Sequence, residues 1–288
     1  MTVPDYVLIG HITADLTPKG RRLGGTASYA TRTAKAFGLR VGVLTSATSD
    51  EPLLDELRPY ADQIVSLPAE ATSTFENIYG PTGGRTQYIR GVAAKIGQND
   101  IPAEWLSAPL VHLAPLTDEV DPHIAHRFPD STVLLTLQGW LRRWDDDGRV
   151  RFKRWFDPSV LEAIDIVVFS EEDILEAPEL EQEFAQSVRH LIVTRAEHGG
   201  TYYRQGEPVQ YATPQAEVIN PTGAGDIFAA ALLSGLYVTD NDMQAAIPVA
   251  ARLGSISVTR WWLDGSPTPE EALMALAEVG AKPKTDAH

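Results

Sequence analysis

The seven residues Asn220-Pro221-Thr222-Gly223-Ala224-Gly225-Asp226 bring two kinds of chemistry together. The β-branched run Glu217-Val218-Ile219 before them reads as a strand, and Ile227-Phe228-Ala229-Ala230-Ala231-Leu232-Leu233 after them reads as a helix. A glycine turn that opens a helix leaves backbone N–H groups without intrahelical acceptors, at the positive end of the aligned peptide dipoles. Gly223 and Gly225 carry no Cβ, so an anion can approach that backbone closely. Asp226 does not suit a bare anion site, because its carboxylate would repel a bound phosphate. As a base it would accept a hydroxyl proton while Gly223, Ala224 and Gly225 hold a transferring phosphoryl group. A glycine-rich cap with an acidic first turn would account for the same residues without chemistry.

The elements that must position this stretch follow from the apolar pattern. Tyr6 to Ile12, Val41 to Leu44, Leu110 to Ala114, Val133 to Leu137, Ile166 to Phe169 and Leu191 to Thr194 are short apolar runs of the buried-strand type. Ala27, Ala30, Ala34 and Phe37 recur at helical spacing between the first two runs, which predicts a βαβ unit and a parallel sheet. Thr74 to Tyr79 and Arg85 to Arg90 flank Gly80-Pro81-Thr82-Gly83-Gly84 and predict a β-hairpin, which needs a surface to pack on. A short helix is expected near Pro122 to Phe128, and longer ones over Ile247 to Val258 and Glu270 to Val279. Gln138 stands at a strand C-terminus, where open α/β sheets bind ligands. Asp145-Asp146-Asp147-Gly148 reads as an acidic turn in preference to a metal site.

Composition narrows the classes. The chain has 288 residues, 43% of them hydrophobic, enough for a substantial core. A formal net charge of -15 argues against nucleic acid or an anionic membrane as a partner. Cysteine is absent, which excludes disulfides and thiolate metal sites. No signal-type leader and no long apolar span stands out, so a soluble, cytoplasmic protein is expected.

The Gly-Ala-Gly-Asp core in its seven-residue setting resembles the signature of the ribokinase-like (PfkB) carbohydrate kinases, with Asn220 and Pro221 departing from the usual Asp and Thr. Further resemblances follow in the family's order along nearly the whole chain. Asp15 and the pair Gly24-Gly25 are similar to the sugar-binding end, where Thr26 and Tyr29 replace the Lys and Asn of ribokinases proper. Ser170-Glu171-Glu172-Asp173 resembles the family's Asn-x-x-Glu. Val193-Thr194-Arg195-Ala196-Glu197-His198-Gly199 resembles its nucleotide stretch, with Ala196 in place of a glycine.

The resemblance implies a three-layer α/β/α domain spanning residues 1–288, with a small β lid from about 11–23 and 72–93. It implies transfer of the ATP γ-phosphoryl to a hydroxyl of a sugar or cyclitol. Asp226 would be the base. Asp15, Gly24, Gly25, Thr26, Tyr29 and Gln138 would hold the acceptor, and Ser170, Thr194, Gly199, Gly223 and Gly225 the nucleotide. Mg²⁺ would bridge the donor phosphates with Asp173 acting on it indirectly, since the side chains near the motif offer no obvious cation. A monovalent activating cation, and a monomer or a lid-paired homodimer, fit the same pattern. Gln138 to Arg143 with Asp147 to Val150, Ser170, Pro221 and Tyr29 look like the plant-type myo-inositol kinase branch. There Tyr29 would offer an apolar face to a ring. Two other readings are a nucleoside kinase of the same family and a catalytically retired sugar or nucleotide sensor, to which the departures at Ser170, Asp173, Ala196 and Asn220 would point. The absence of G-x-x-x-x-G-K-[ST] excludes a P-loop mechanism.

Overall fold

The computed structural model describes residues 2–79 and 85–281. The first part of the chain comprises β1 (Tyr6–Ile9), β2 (Thr13–Thr17), β3 (Gly20–Gly24), α1 (Thr26–Ala36), β4 (Val41–Ala47), α2 (Leu53–Leu57) and β5 (Gln63–Pro68). There follow β6 (Thr74–Tyr79), β7 (Arg85–Gly91), β8 (Leu110–Leu113), β9 (Thr132–Thr136), β10 (Arg142–Trp144), β11 (Val150–Phe152) and α3 (Pro158–Leu161). The last part holds β12 (Ile166–Ser170), α4 (Leu180–Ser187), β13 (His190–Thr194), β14 (Gly200–Arg204), β15 (Glu207–Tyr211), α5 (Ala224–Val238), α6 (Met243–Ser257) and α7 (Pro269–Glu278).

Among the described residues, a nine-stranded sheet runs in the order β15-β14-β13-β12-β9-β8-β1-β4-β5. The strands from β13 to β5 pair in parallel, and β14 and β15 add an antiparallel edge. Every residue of β1, β4 and β8 is buried, as expected of parallel strands covered on both faces. One face packs on α1, α5, α6 and α7 through Ala27, Ala30, Ile227, Leu232 and Leu276. The other carries Trp105, Phe128, Trp140 and Phe184. Burying one such side chain contributes about 1.5–3 kcal/mol, so these two layers dominate the stability of the fold. The three layers match the expectation from sequence.

A second sheet has the order β3-β2-β6-β7, and β10 pairs with β11 in a third. The hairpin expected over Thr74 to Arg90 is present as β6 and β7, antiparallel and joined to β2. Its Gly/Pro turn, residues 80–84, lies outside the described residues. The strand expected at Glu217 to Ile219 does not form. The Ile219 and Asn220 N–H groups both donate to the Val258 carbonyl, at 2.8 and 3.0 Å, and Val218 and Ile219 are exposed. The chain leaves the sheet after Tyr211 to reach the end of α6, so this β-branched run has no strand to pair with.

A buried polar cluster ties the loop after β1 to the loop after β8. Glu119 is 1% exposed and accepts from the backbone N–H groups of His11, Leu116 and Thr117 at 3.0, 2.9 and 2.6 Å. His11 contacts Ser73 Oγ at 2.7 Å and the Ala94 carbonyl at 2.8 Å. Burial pushes the Glu119 carboxyl up, but the nearby His11 and the three N–H groups outweigh it and hold it below the usual range. No helix among the described residues is long and apolar enough to cross a membrane.

Candidate active site

Two helix N-termini meet at the C-terminal ends of the central strands. Gly25 caps α1 with φ 81°, and Gly223 caps α5 with φ 85°. A Cβ at Gly223 would collide with the ring of Tyr29, so only glycine lets α1 and α5 approach this closely. Thr26 Oγ1 donates to Asp226 Oδ1 at 2.7 Å, joining the two helix starts. Tyr29 is 2% exposed, its ring packed on the Gly223 turn. The expectation that it offers a face to an acceptor ring is therefore corrected: the ring backs the turn.

The anion turn differs in one donor from the expectation. Ala224 N–H is drawn to the Pro221 carbonyl at 3.3 Å, which leaves it a weaker donor. No hydrogen bond of the Gly223, Gly225 or Asp226 N–H groups is found among the described residues. Asn220 holds the turn by accepting from Thr222 N–H at 3.0 Å.

Carboxylates converge around this turn. Burial pushes the Asp226 carboxyl up to about 6; Thr26 and the Arg142 guanidinium oppose the rise, and Asp173 and Asp15 reinforce it. Asp15 lies against the backbone of Gly24, where a Cβ would strike its carboxylate, and accepts from Thr13 Oγ1 at 3.2 Å. Gln138 Nε2 donates to Asp173 Oδ1 at 2.9 Å, so the amide engages the carboxylate of the next strand end. Ser170 and Asp173 form a reciprocal cap: Ser170 N–H donates to Asp173 Oδ2 at 3.0 Å and Ser170 Oγ accepts from Glu172 N–H at 3.2 Å.

Arg142 enters the sequence reading only within the Gln138 to Arg143 stretch, with no role of its own, and it corrects the expectation of no nearby cation. It begins β10, donates to the Leu116 carbonyl at 3.4 Å and lies over Phe75 at 5.6 Å. An arginine opening a three-residue strand gives no periodic signal. The one available clue was its place four residues after Gln138.

Ser170 and Thr194 are register partners at the ends of β12 and β13. Gly199 closes the turn into β14 with φ 82°, directly against the Tyr211 carbonyl. Asp15, Gly24, Gly25, Thr26, Gln138, Asp173, Gly223, Gly225 and Asp226 thus surround one end of the sheet, with Ser170, Thr194 and Gly199 flanking it. Ala196 occupies φ 46°, a conformation that strains any residue with a Cβ. Ala196→Gly should stabilise the chain by about 0.5–1 kcal/mol, read as a rise of ~2 °C in Tm. An unchanged or lower Tm would count against strain at this turn.

Residues 158–266 match the pfkB family of carbohydrate kinases. That stretch of the chain is part of a PfkB-family carbohydrate kinase domain. Over 250 residues it is 28% identical to a cytidine kinase of Thermococcus kodakarensis, covering 80% of this chain and 88% of that protein. It is 32% identical to an inositol 3-kinase of Zea mays over 131 residues, 44% of this chain and 35% of that one. A pyrophosphate-dependent kinase in the ribokinase family, complexed with a pyrophosphate analog and myo-inositol, superposes with a TM-score of 0.76 at 19% identity, covering 92% of this chain and 98% of its own. At that identity the likeness establishes the ribokinase-like fold alone.

Proposed function

We propose that this PfkB-family kinase transfers the γ-phosphoryl group of ATP to a hydroxyl of a sugar or cyclitol. The observation that carries the reading is Asp226, a carboxyl held near 6 one peptide from unpaired N–H groups of the α5 turn. Deprotonated, it accepts the proton of the attacking hydroxyl; the Gly223 and Gly225 N–H groups, with a weaker contribution from Ala224, stabilise charge on the transferring phosphoryl. Thr26 orients the base. Asp15, the backbone of Gly24 and Gly25, and Gln138 hold acceptor hydroxyls, and Arg142 supplies the cation beside the reacting groups.

Ser170, Thr194 and Gly199 would line the donor side, and the exposed Val218 and Ile219 before the Asn220 turn would be available to a purine. Contact of these side chains with a base would favour ATP over pyrophosphate as donor. Mg²⁺ supplies charge neutralisation on the donor phosphates. Among the described residues no group of three or more His, Cys, Asp or Glu could hold a metal alone, so Asp173 would act on a phosphate-bound ion from the side. The sheet of β2, β3, β6 and β7 serves as a lid that excludes water from the reaction.

The cytidine kinase likeness, which spans most of the chain, favours a second reading with a nucleoside acceptor. The partial inositol 3-kinase likeness supports the cyclitol. The test compares kcat/KM for myo-inositol, fructose, ribose and cytidine, each with ATP and with pyrophosphate. A polyol is expected to win with ATP. A tenfold advantage of cytidine, about 1.4 kcal/mol of transition-state discrimination, would replace the acceptor and leave the kinase reading standing. ATP binding without turnover of any acceptor would favour the retired sensor.

A further inference from the structure

A cavity of about 330 Å³ lies between the edge strand β3, helix α1 and the turn at residues 261–264, and none of its lining residues is among those gathered around Asp226. Two of its lining arginines share an unusual condition. Arg22 lies over the ring of Trp262 at 4.1 Å, and Arg32 over the ring of Tyr60 at 4.2 Å. Neither makes a salt bridge or a side-chain hydrogen bond among the described residues, and Arg32 Nε is buried without a partner. A guanidinium stacked by its face on an aromatic ring keeps its in-plane donors, which are the ones that grip an oxyanion in a fork.

Trp262 stands at φ 47°, a strained conformation for a large side chain, and the strain places its ring under Arg22. Lys19 adds a third cation, whereas Arg21 is already paired with Glu51 at 2.6 Å. In a chain of net charge -15, this concentration of unpaired cations is local. Glu56 and Asp264 in the lining are acceptors suited to hydroxyl groups, and Trp261, half exposed, offers an apolar wall.

We infer that this cavity binds a phosphate monoester of a polyol or sugar, its phosphate on Arg22, Arg32 and Lys19 and its hydroxyls toward Glu56 and Asp264. Arg22 is the cross-strand partner of Asp15, so the ligand loads the lid strand next to the acceptor-binding strand. Occupancy therefore changes the acceptor KM and leaves the donor KM in place.

The test is equilibrium titration of the whole chain at fixed ionic strength, with a non-hydrolysable ATP analogue saturating the donor side. The probes are inorganic phosphate, a hexose monophosphate and a nucleoside monophosphate. Binding is read without turnover, so the result does not depend on the kinase reading. The hexose phosphate is expected to bind saturably, at least about tenfold tighter than inorganic phosphate, and to lose at least about tenfold in both Arg22→Met and Arg32→Met. Methionine keeps an apolar body over each ring; exposed Lys19→Gln carries the same test should either variant fail to fold. Binding unchanged in these variants, or absent up to about 10 mM, overturns the site. Inorganic phosphate or the nucleoside monophosphate binding as tightly as the hexose phosphate overturns the ligand class.

Discussion

Asp226→Asn is expected to lower kcat by about 10²–10⁴ while the acceptor and donor KM values stay within a few-fold. The amide keeps the shape and can still accept from Thr26 Oγ1, so the loss isolates the proton-accepting function. Near-wild-type turnover would remove Asp226 from the chemistry. The same carboxyl should set the acid limb of the rate profile. Held near 6, it is protonated and inactive below that pH and becomes a base as pH rises through it. Arg142→Met withdraws a positive charge that favours the carboxylate, so its acid limb should move to higher pH; an unmoved limb would place Arg142 outside the field of Asp226. Stability runs the opposite way. The folded pKa is raised above the ordinary value of 3.8, so the ionised form opposes folding increasingly as pH rises from about 4 through 6. Asp226→Asn should therefore raise Tm above pH 6, and the gain should vanish below pH 4.

Glu119→Ala is expected to cost about 3–5 kcal/mol of stability. Three buried backbone N–H groups, from His11, Leu116 and Thr117, would lose their acceptor together, and no other polar group replaces it. The sign with pH follows from the lowered carboxyl. Stability from Glu119 is present above its unfolded value of 4.5 and is lost as pH falls through the folded value below that. Urea unfolding at pH 7 and at pH 4 checks both points. Wild type and variant differing by less than about 1 kcal/mol at pH 7 would show that the loops hold without this carboxylate.

Much of this was legible in the chain itself. The apolar runs around Val7, Val43, Val111 and Val167 mark parallel strands, because buried strands need apolar side chains on both faces. Gly223 to Asp226 marks a helix start because only that succession leaves N–H groups open beside a carboxylate. Three features were not legible. Val218 and Ile219 have strand chemistry, yet pairing depends on a free strand edge that local sequence does not specify. Arg142 and Glu119 act through loops folded over long distances, and their neighbours in sequence say nothing about what they meet. Tyr29 has the right position for an acceptor contact, but its burial depends on the missing Cβ of a residue near the other end of the chain.

The hydrogen bond from Thr26 to Asp226 joins residues 200 positions apart. During synthesis the N-terminal helix leaves the ribosome long before its partner exists, since chains grow at about 5–20 residues per second. Strand β1, made first, sits between β4 and β8, so the sheet grows outward from it on both sides. Its neighbours can assemble early, while the reacting constellation waits for the last quarter of the chain. A nascent fragment ending before Asp226 lacks the base proposed above, and high contact order makes closure of α5 onto α1 a late, slow event. On the proposed mechanism, products of translation interrupted before Asp226 lack the base and transfer no phosphoryl group.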